Sequence, residues 1–188
     1  MTWNDTTKGI MKLIIALVLF TSGLLAQTGK FSTTISYPLP MGENNFGQLD
    51  GIVDLGVAYR VITFGNLYLG GGLNVGVYDE KNETIDFVRK SSLIQPKVLV
   101  ELKLTRFRPF AGLGYVFWNQ KNEFPDLEDI SFKWNGLNFN LGVSVDILPK
   151  LFIVGQIDII KLSGGDSLPD SSSFRNITVV KIGAGVRL

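Results

Sequence analysis

Eight stretches of this chain alternate, residue by residue, between apolar and small or polar side chains. A period of two marks β-strands whose two faces meet different surroundings. The clearest stretch is YLGGGLNVGVY at 68–78, with Leu69, Gly71, Leu73, Val75 and Val77 on one face. Tyr68, Gly70, Gly72, Asn74, Gly76 and Tyr78 form the other. The remaining segments run over about 30–37, 51–61, 93–104, 110–118, 134–147, 151–161 and 176–188. Long stripes at helical spacing are missing, so the pattern predicts an all-β chain.

The connections carry a second regularity. Long joins (PLPMGENNFGQL, DEKNETIDFVRKS, NQKNEFPDLEDIS, SGGDSLPDSSSF) alternate with short ones (ITFGN, TRFRP, LPK) through the whole series. That order predicts an antiparallel up-and-down arrangement with both ends of the domain at the short-turn side. Transmembrane barrels show this asymmetry, with an even strand number, short periplasmic turns and longer outer loops.

Two closed architectures accept eight such strands. A lipocalin-like soluble barrel turns its apolar face inward around a ligand, whereas a membrane barrel turns it outward to lipid. The polar register discriminates. A water-facing surface would be rich in Lys, Glu and Thr, yet here Gly56, Gly70, Gly72, Gly76, Gly112, Gly114, Gly142, Gly183 and Gly185 occupy it. Glycine weakens a strand interior and needs a packing reason. An eight-stranded barrel provides one, because its interior is only just wide enough for side chains. The apolar register is free of Lys, Arg, Asp and Glu across mid-strand, where a lipid-facing Lys or Arg would cost roughly 2–4 kcal/mol.

The N-terminal part has its own character. From Met11 the chain reads MKLIIALVLFTSGLLAQ, one lysine followed by a short apolar run and small residues. This is the layout of a secretory signal peptide, shorter than a membrane-spanning helix. Residues 1–26 are therefore read as an N-terminal extension and cleaved signal peptide, and 27–188 as the barrel. Charge excludes other classes. With 18 basic against 17 acidic residues and no basic cluster, nucleic-acid binding is not expected. Histidine and cysteine are absent, so a Ser-His-Asp triad, a His-ligated metal and a CxxC site are excluded.

Taken together, the eight glycine-backed alternations and the alternating loops resemble the small eight-stranded outer-membrane barrels of the OmpA and OmpX type. The likeness covers residues 27–188 through architecture rather than a motif. Such proteins usually end in an aromatic residue that helps the barrel-assembly machinery, and this chain ends VKIGAGVRL. The resemblance implies a place in the outer membrane of a Gram-negative cell envelope. It also implies lipid contact, the assembly machinery as a partner during insertion, and a surface or envelope protein as a further partner.

Charged residues in the small-residue register define the candidate site. Asp54, Arg60, Lys97, Glu101, Lys103, Asp146, Asp158, Lys181 and Arg187 would face one another as a lumen ion-pair network. Pairing Leu151 with Leu188 sets Asp158 opposite Lys181, and similar bookkeeping seats Glu101 between Gly70 and Gly112. On the long loops Phe46, Phe87, Phe124 and Phe174 are candidate contacts. No catalytic, cofactor-binding or metal-ligating residue is assigned. The expected role is structural or adhesive, non-enzymatic, with a filled polar lumen. The alternatives are a soluble periplasmic lipocalin-like binder, a narrow pore, or a His-free lipid-modifying enzyme using a carboxylate such as Glu101.

Overall fold

The computed structural model describes residues 30–41, 49–82, 87–123, 129–165 and 175–188, with the backbone alone at 81, 82 and 87. Residues 1–26, expected to form a signal peptide, and Phe46, Phe124 and Phe174 lie outside the described residues, as does the side chain of Phe87. Eight strands follow in order: β1 Phe31–Met41, β2 Asp50–Phe64, β3 Leu67–Asn82, β4 Phe87–Leu102, β5 Phe107–Glu123, β6 Ile130–Asp146, β7 Leu151–Gly165 and β8 Asn176–Arg187. Each pairs antiparallel with its neighbours in sequence, and β1 pairs with β8, so the sheet closes into an up-and-down barrel.

The side-chain alternation resolves as the membrane reading requires. Leu73, Val100, Leu141 and Ile182 are 39–62% exposed on the outer surface. Asp54, Asn74, Asn140, Ser144 and Lys181 are buried inside. That arrangement overturns the lipocalin-like alternative, which needed the aliphatic row around a central cavity.

Turn chemistry closes the short side. Phe64 pairs with Leu67 across Gly65–Asn66, with Gly65 at φ +57°. A positive φ in a two-residue hairpin is what glycine supplies without steric cost. Leu104 and Phe107 exchange two backbone hydrogen bonds of 2.8 Å around Thr105–Arg106, and here Thr105 takes φ +52°. Bulges interrupt the β2–β3 ladder between Gly51 and Val53 and between Arg60 and Ile62. The β4–β5 ladder skips Gln95 and Pro96, where proline has no N–H to give.

Two pairing expectations are corrected. Leu151 pairs with Val186 rather than Leu188, so Lys181 lies opposite Gln156 and Asp158 opposite Val179. Glu101 pairs with Tyr68 and Phe110, and it is Leu99 that sits between Gly70 and Gly112. Both errors are slips of two residues. Such a slip keeps every side chain on its own face, so alternation cannot detect it.

The strands are also longer than the apolar alternation implied. Strands β2 to β7 have 15–17 residues, against the roughly 9–11 that cross a hydrocarbon layer. The surplus lies on the long-loop side, where outward residues become polar: Lys90, Asn119, Lys121, Ser131, Lys133 and Lys161. At that end the inside becomes apolar. Leu93, Val116, Trp118, Trp134, Ile160, Leu162, Ile177 and Val179 are at most 5% exposed and form one cluster with Tyr78. The lumen is therefore polar only in part, which corrects the expectation of a polar filling throughout. Trp134 and Phe152 also point inward.

Candidate functional site

The lumen is stratified into three layers. The outermost is the apolar plug. Trp118 and Trp134 pack with ring centroids 4.7 Å apart, and Phe132 stacks on Trp134 at 5.4 Å with planes only 4° apart. These residues come from neighbouring strands, since Trp118 pairs directly with Trp134. Together with Leu93, Ile160 and Ile177 these rings pack the interior at this end.

Beneath the plug lies an ion cluster. The Lys181 ammonium, on β8, is 2.6 Å from Asp54 Oδ2 on β2 and 2.7 Å from Asp158 Oδ2 on β7. It also donates to Gln95 Oε1 at 2.9 Å. The amide of Asn74 donates to Asp54 Oδ1, and that of Gln156 to Asp158 Oδ1. All three ionised side chains are at most 2% exposed. Burial of charge on this scale is tolerated because every carboxylate oxygen lies against the ammonium or a side-chain amide. Glycines make the space, since a Cβ at Gly76 would sit 3.1 Å from Asp54 Oδ2.

The third layer lies near the short-turn mouth. Arg60 grips Glu101 with two hydrogen bonds, Nε to Oε1 at 3.1 Å and Nη2 to Oε2 at 2.8 Å. Arg108 joins Glu101 Oε1 at 3.1 Å to Asp146 Oδ2 at 2.9 Å. Arg187 donates to Asp146 Oδ1 through Nη1 and to Ser144 Oγ at 2.6 Å through Nη2. Its guanidinium also lies 3.9 Å from the centre of the Phe152 ring, a favourable cation–π distance. Fork-shaped guanidinium pairing to carboxylates is geometrically specific, which suits a chain that must hold its strands in register.

Seven of the nine charged residues singled out from sequence thus fall into two bonded groups. Lys97 faces the lumen between them and makes no ion pair to a described residue. Lys103 lies past the end of β4 in the turn, where its N–H donates to Asn66 O at 2.8 Å, and joins neither group. Arg108 was missed because TRFRP was read as turn, although extending the β5 alternation back by one pair of residues places it inward. The plug was missed for a related reason. Inward and outward residues exchange polarity above the membrane, so the familiar contrast inverts.

No family model matches the chain, and no curated protein matches it in sequence. Solved structures do match in fold. The attachment invasion locus protein Ail of Yersinia pestis aligns with a TM-score of 0.60 at 12% identity, over 85% of this chain and 97% of Ail. The N-terminal β-barrel domain of Pseudomonas aeruginosa OprF gives 0.57 at 14% identity, over 85% and 98%. Neisserial surface protein A gives 0.55 at 14% identity, over 86% and 97%. Ail has also been solved in complex with the heparin analogue sucrose octasulfate. With its closed eight-strand topology, charge-free outer belt and filled lumen, this chain has the fold of the small outer-membrane β-barrels.

Proposed function

We propose that the protein is a non-enzymatic outer-membrane barrel that acts as a structural element and as a binding surface, through the end that carries its four long loops. The observation that carries this reading is the closed lumen. The Tyr78, Trp118 and Trp134 plug stands above two ion-paired layers, and transport through the barrel has no route. What remains available to partners is the outer surface. There Lys90, Lys121 and Lys133 stand on adjacent strands above the lipid belt, with Lys90 directly opposite Lys121. Ail, similar in fold, is named for attachment and was crystallised with a sulfated heparin analogue; a polyanionic surface partner suits the three lysines in the same way.

Glu101 is a poor candidate for a catalytic base. Both its oxygens are bound by Arg60 and Arg108, so neither stands free to approach a substrate. The test combines two measurements on the full chain. Planar-bilayer recording should show no stepwise conductance. Cells displaying the protein should retain labelled sucrose octasulfate, and the triple substitution of Lys90, Lys121 and Lys133 to Gln should abolish that retention. Discrete channel openings would overturn the closed-lumen reading, and undiminished binding by the triple variant would overturn the surface assignment.

A further inference from the structure

Between the Lys181 cluster and the short-turn mouth lies a partly enclosed cavity of about 80 Å³. Its walls are largely apolar, including Leu99, Phe110, Phe152 and Val154, and Lys97, Arg60 and Arg187 face the same space from different strands. A hollow lined by four cations, Arg60, Lys97, Lys181 and Arg187, against the single carboxylate Glu101 has an evident electrostatic bias.

Charge accounting sharpens that bias. Among the described residues, Arg60, Lys97, Arg108, Lys181 and Arg187 project into the lumen below the plug, against Asp54, Glu101, Asp146 and Asp158. One cation has no carboxylate. Near the mouth, Arg60, Arg108 and Arg187 pair with Glu101 and Asp146. Higher up, Asp54 and Asp158 both spend their contacts on Lys181, leaving Lys97 without an ion pair. A second observation points the same way. Arg187 is 6% exposed, yet its Nε–H has no hydrogen-bond partner among the described residues. A buried donor on a charged group is costly to leave unmet.

We infer that this cavity is a binding site for one compact monovalent anion, a halide or a short carboxylate, held between Lys97 and the Arg60–Arg187 pair and entering from the short-turn side. The plug bars entry from the other end. The low-polarity walls strengthen attraction between the anion and Lys97 relative to water, and the cavity volume limits the occupant to a few heavy atoms. The chemistry is shared by chloride and by formate or acetate, and the test separates them by size and species.

The full chain, folded in detergent micelles, would be unfolded thermally at constant ionic strength while sodium gluconate, too large for the cavity, is replaced by chloride, bromide, formate or acetate. Binding to the folded state raises the midpoint in a saturable way. Crystals grown in bromide would show an anomalous peak inside the cavity. Lys97→Met should weaken the apparent affinity at least tenfold. Val154→Phe, which keeps every charge but fills the hollow, should abolish saturation; it guards against a general salt effect, because it leaves the cations in place. A response to chloride alone would assign the site to halides, and a response to formate and acetate alone to carboxylates. The inference is overturned if gluconate stabilises as well as the small anions do, if both variants respond like the parent, or if bromide is absent from the cavity.

Discussion

Lys181 and Asp54, 127 positions apart in the chain, meet at 2.6 Å across the barrel interior, and Asp158 meets the same ammonium at 2.7 Å. One cation thus holds two buried carboxylates. Removing it leaves both without compensation, so Lys181→Met is expected to cost about 3–5 kcal/mol. Urea unfolding of the full chain in micelles measures this. Adding Asp54→Asn and Asp158→Asn to Lys181→Met should recover most of the loss, since neutral amides of the same shape need no counter-charge. Parent-like stability of the single variant would show that the carboxylates are hydrated instead.

Glycines lining the lumen should tolerate a larger side chain less well than glycines facing lipid. A Cβ at Gly112 would lie 2.8 Å from Leu99 Cδ2 and 3.0 Å from Val98 O, whereas one at Gly155 meets nothing within 4 Å. Gly112→Val is expected to destabilise by about 1–3 kcal/mol through overpacking, and Gly155→Ala to stay within about 0.5 kcal/mol of the parent. Gel mobility with and without heating, scored against urea, reports both. Equal tolerance would mean that the interior is looser than its contacts indicate.

Thr105 carries a left-handed backbone at φ +52° in the β4–β5 turn. A β-branched residue there is strained, and glycine relieves the clash while adding freedom to the unfolded chain. The balance favours Thr105→Gly by about 0.5–1 kcal/mol. The unfolding midpoint should rise, while Arg106→Gly, at a position without positive φ, should lower it or leave it unchanged. A lower midpoint for Thr105→Gly would contradict the strain.

Above the lipid belt, Glu123 accepts from Lys90 Nζ at 2.6 Å and from Lys121 Nζ at 3.3 Å. The Lys90 bond chiefly holds its carboxyl below the ordinary 4.5, with weak burial opposing and Lys121 assisting. A carboxyl depressed in the folded state stabilises at pH values above its unfolded pKa. That contribution is lost as pH falls through the folded value. The groups are largely in water, so Glu123→Gln should cost no more than about 1 kcal/mol at neutral pH, a difference that fades as pH falls through the folded value. Urea midpoints across that range test the sign, and a deficit that grows on acidification would refute it.

How far the sequence spoke depended on which physical constraint acted on each residue. Facing was legible for Leu73, Val100, Leu141 and Ile182, because a bilayer imposes a strict period of two. Contact partners were less so. Asp158 and Lys181 do meet, but diagonally, since a shift of two residues changes neighbours without changing faces. Arg108 hid in a stretch resembling a turn. Trp134, Ile160 and Ile177 were hardest to place, because beyond the hydrocarbon layer water lies outside the barrel and apolar residues belong inside. The loop phenylalanines at 46, 124 and 174 lie outside the described residues.

That reversal of polarity along the barrel wall also bears on how the molecule reaches its final position. The lysine-bearing collar of β4, β5, β6 and β7 must pass completely through the oily layer before it can rest in water on the far side. Translocation of that collar is then expected to limit the rate of insertion. Thinning the bilayer with short-chain lipids should hasten spontaneous refolding more than any improvement in strand propensity.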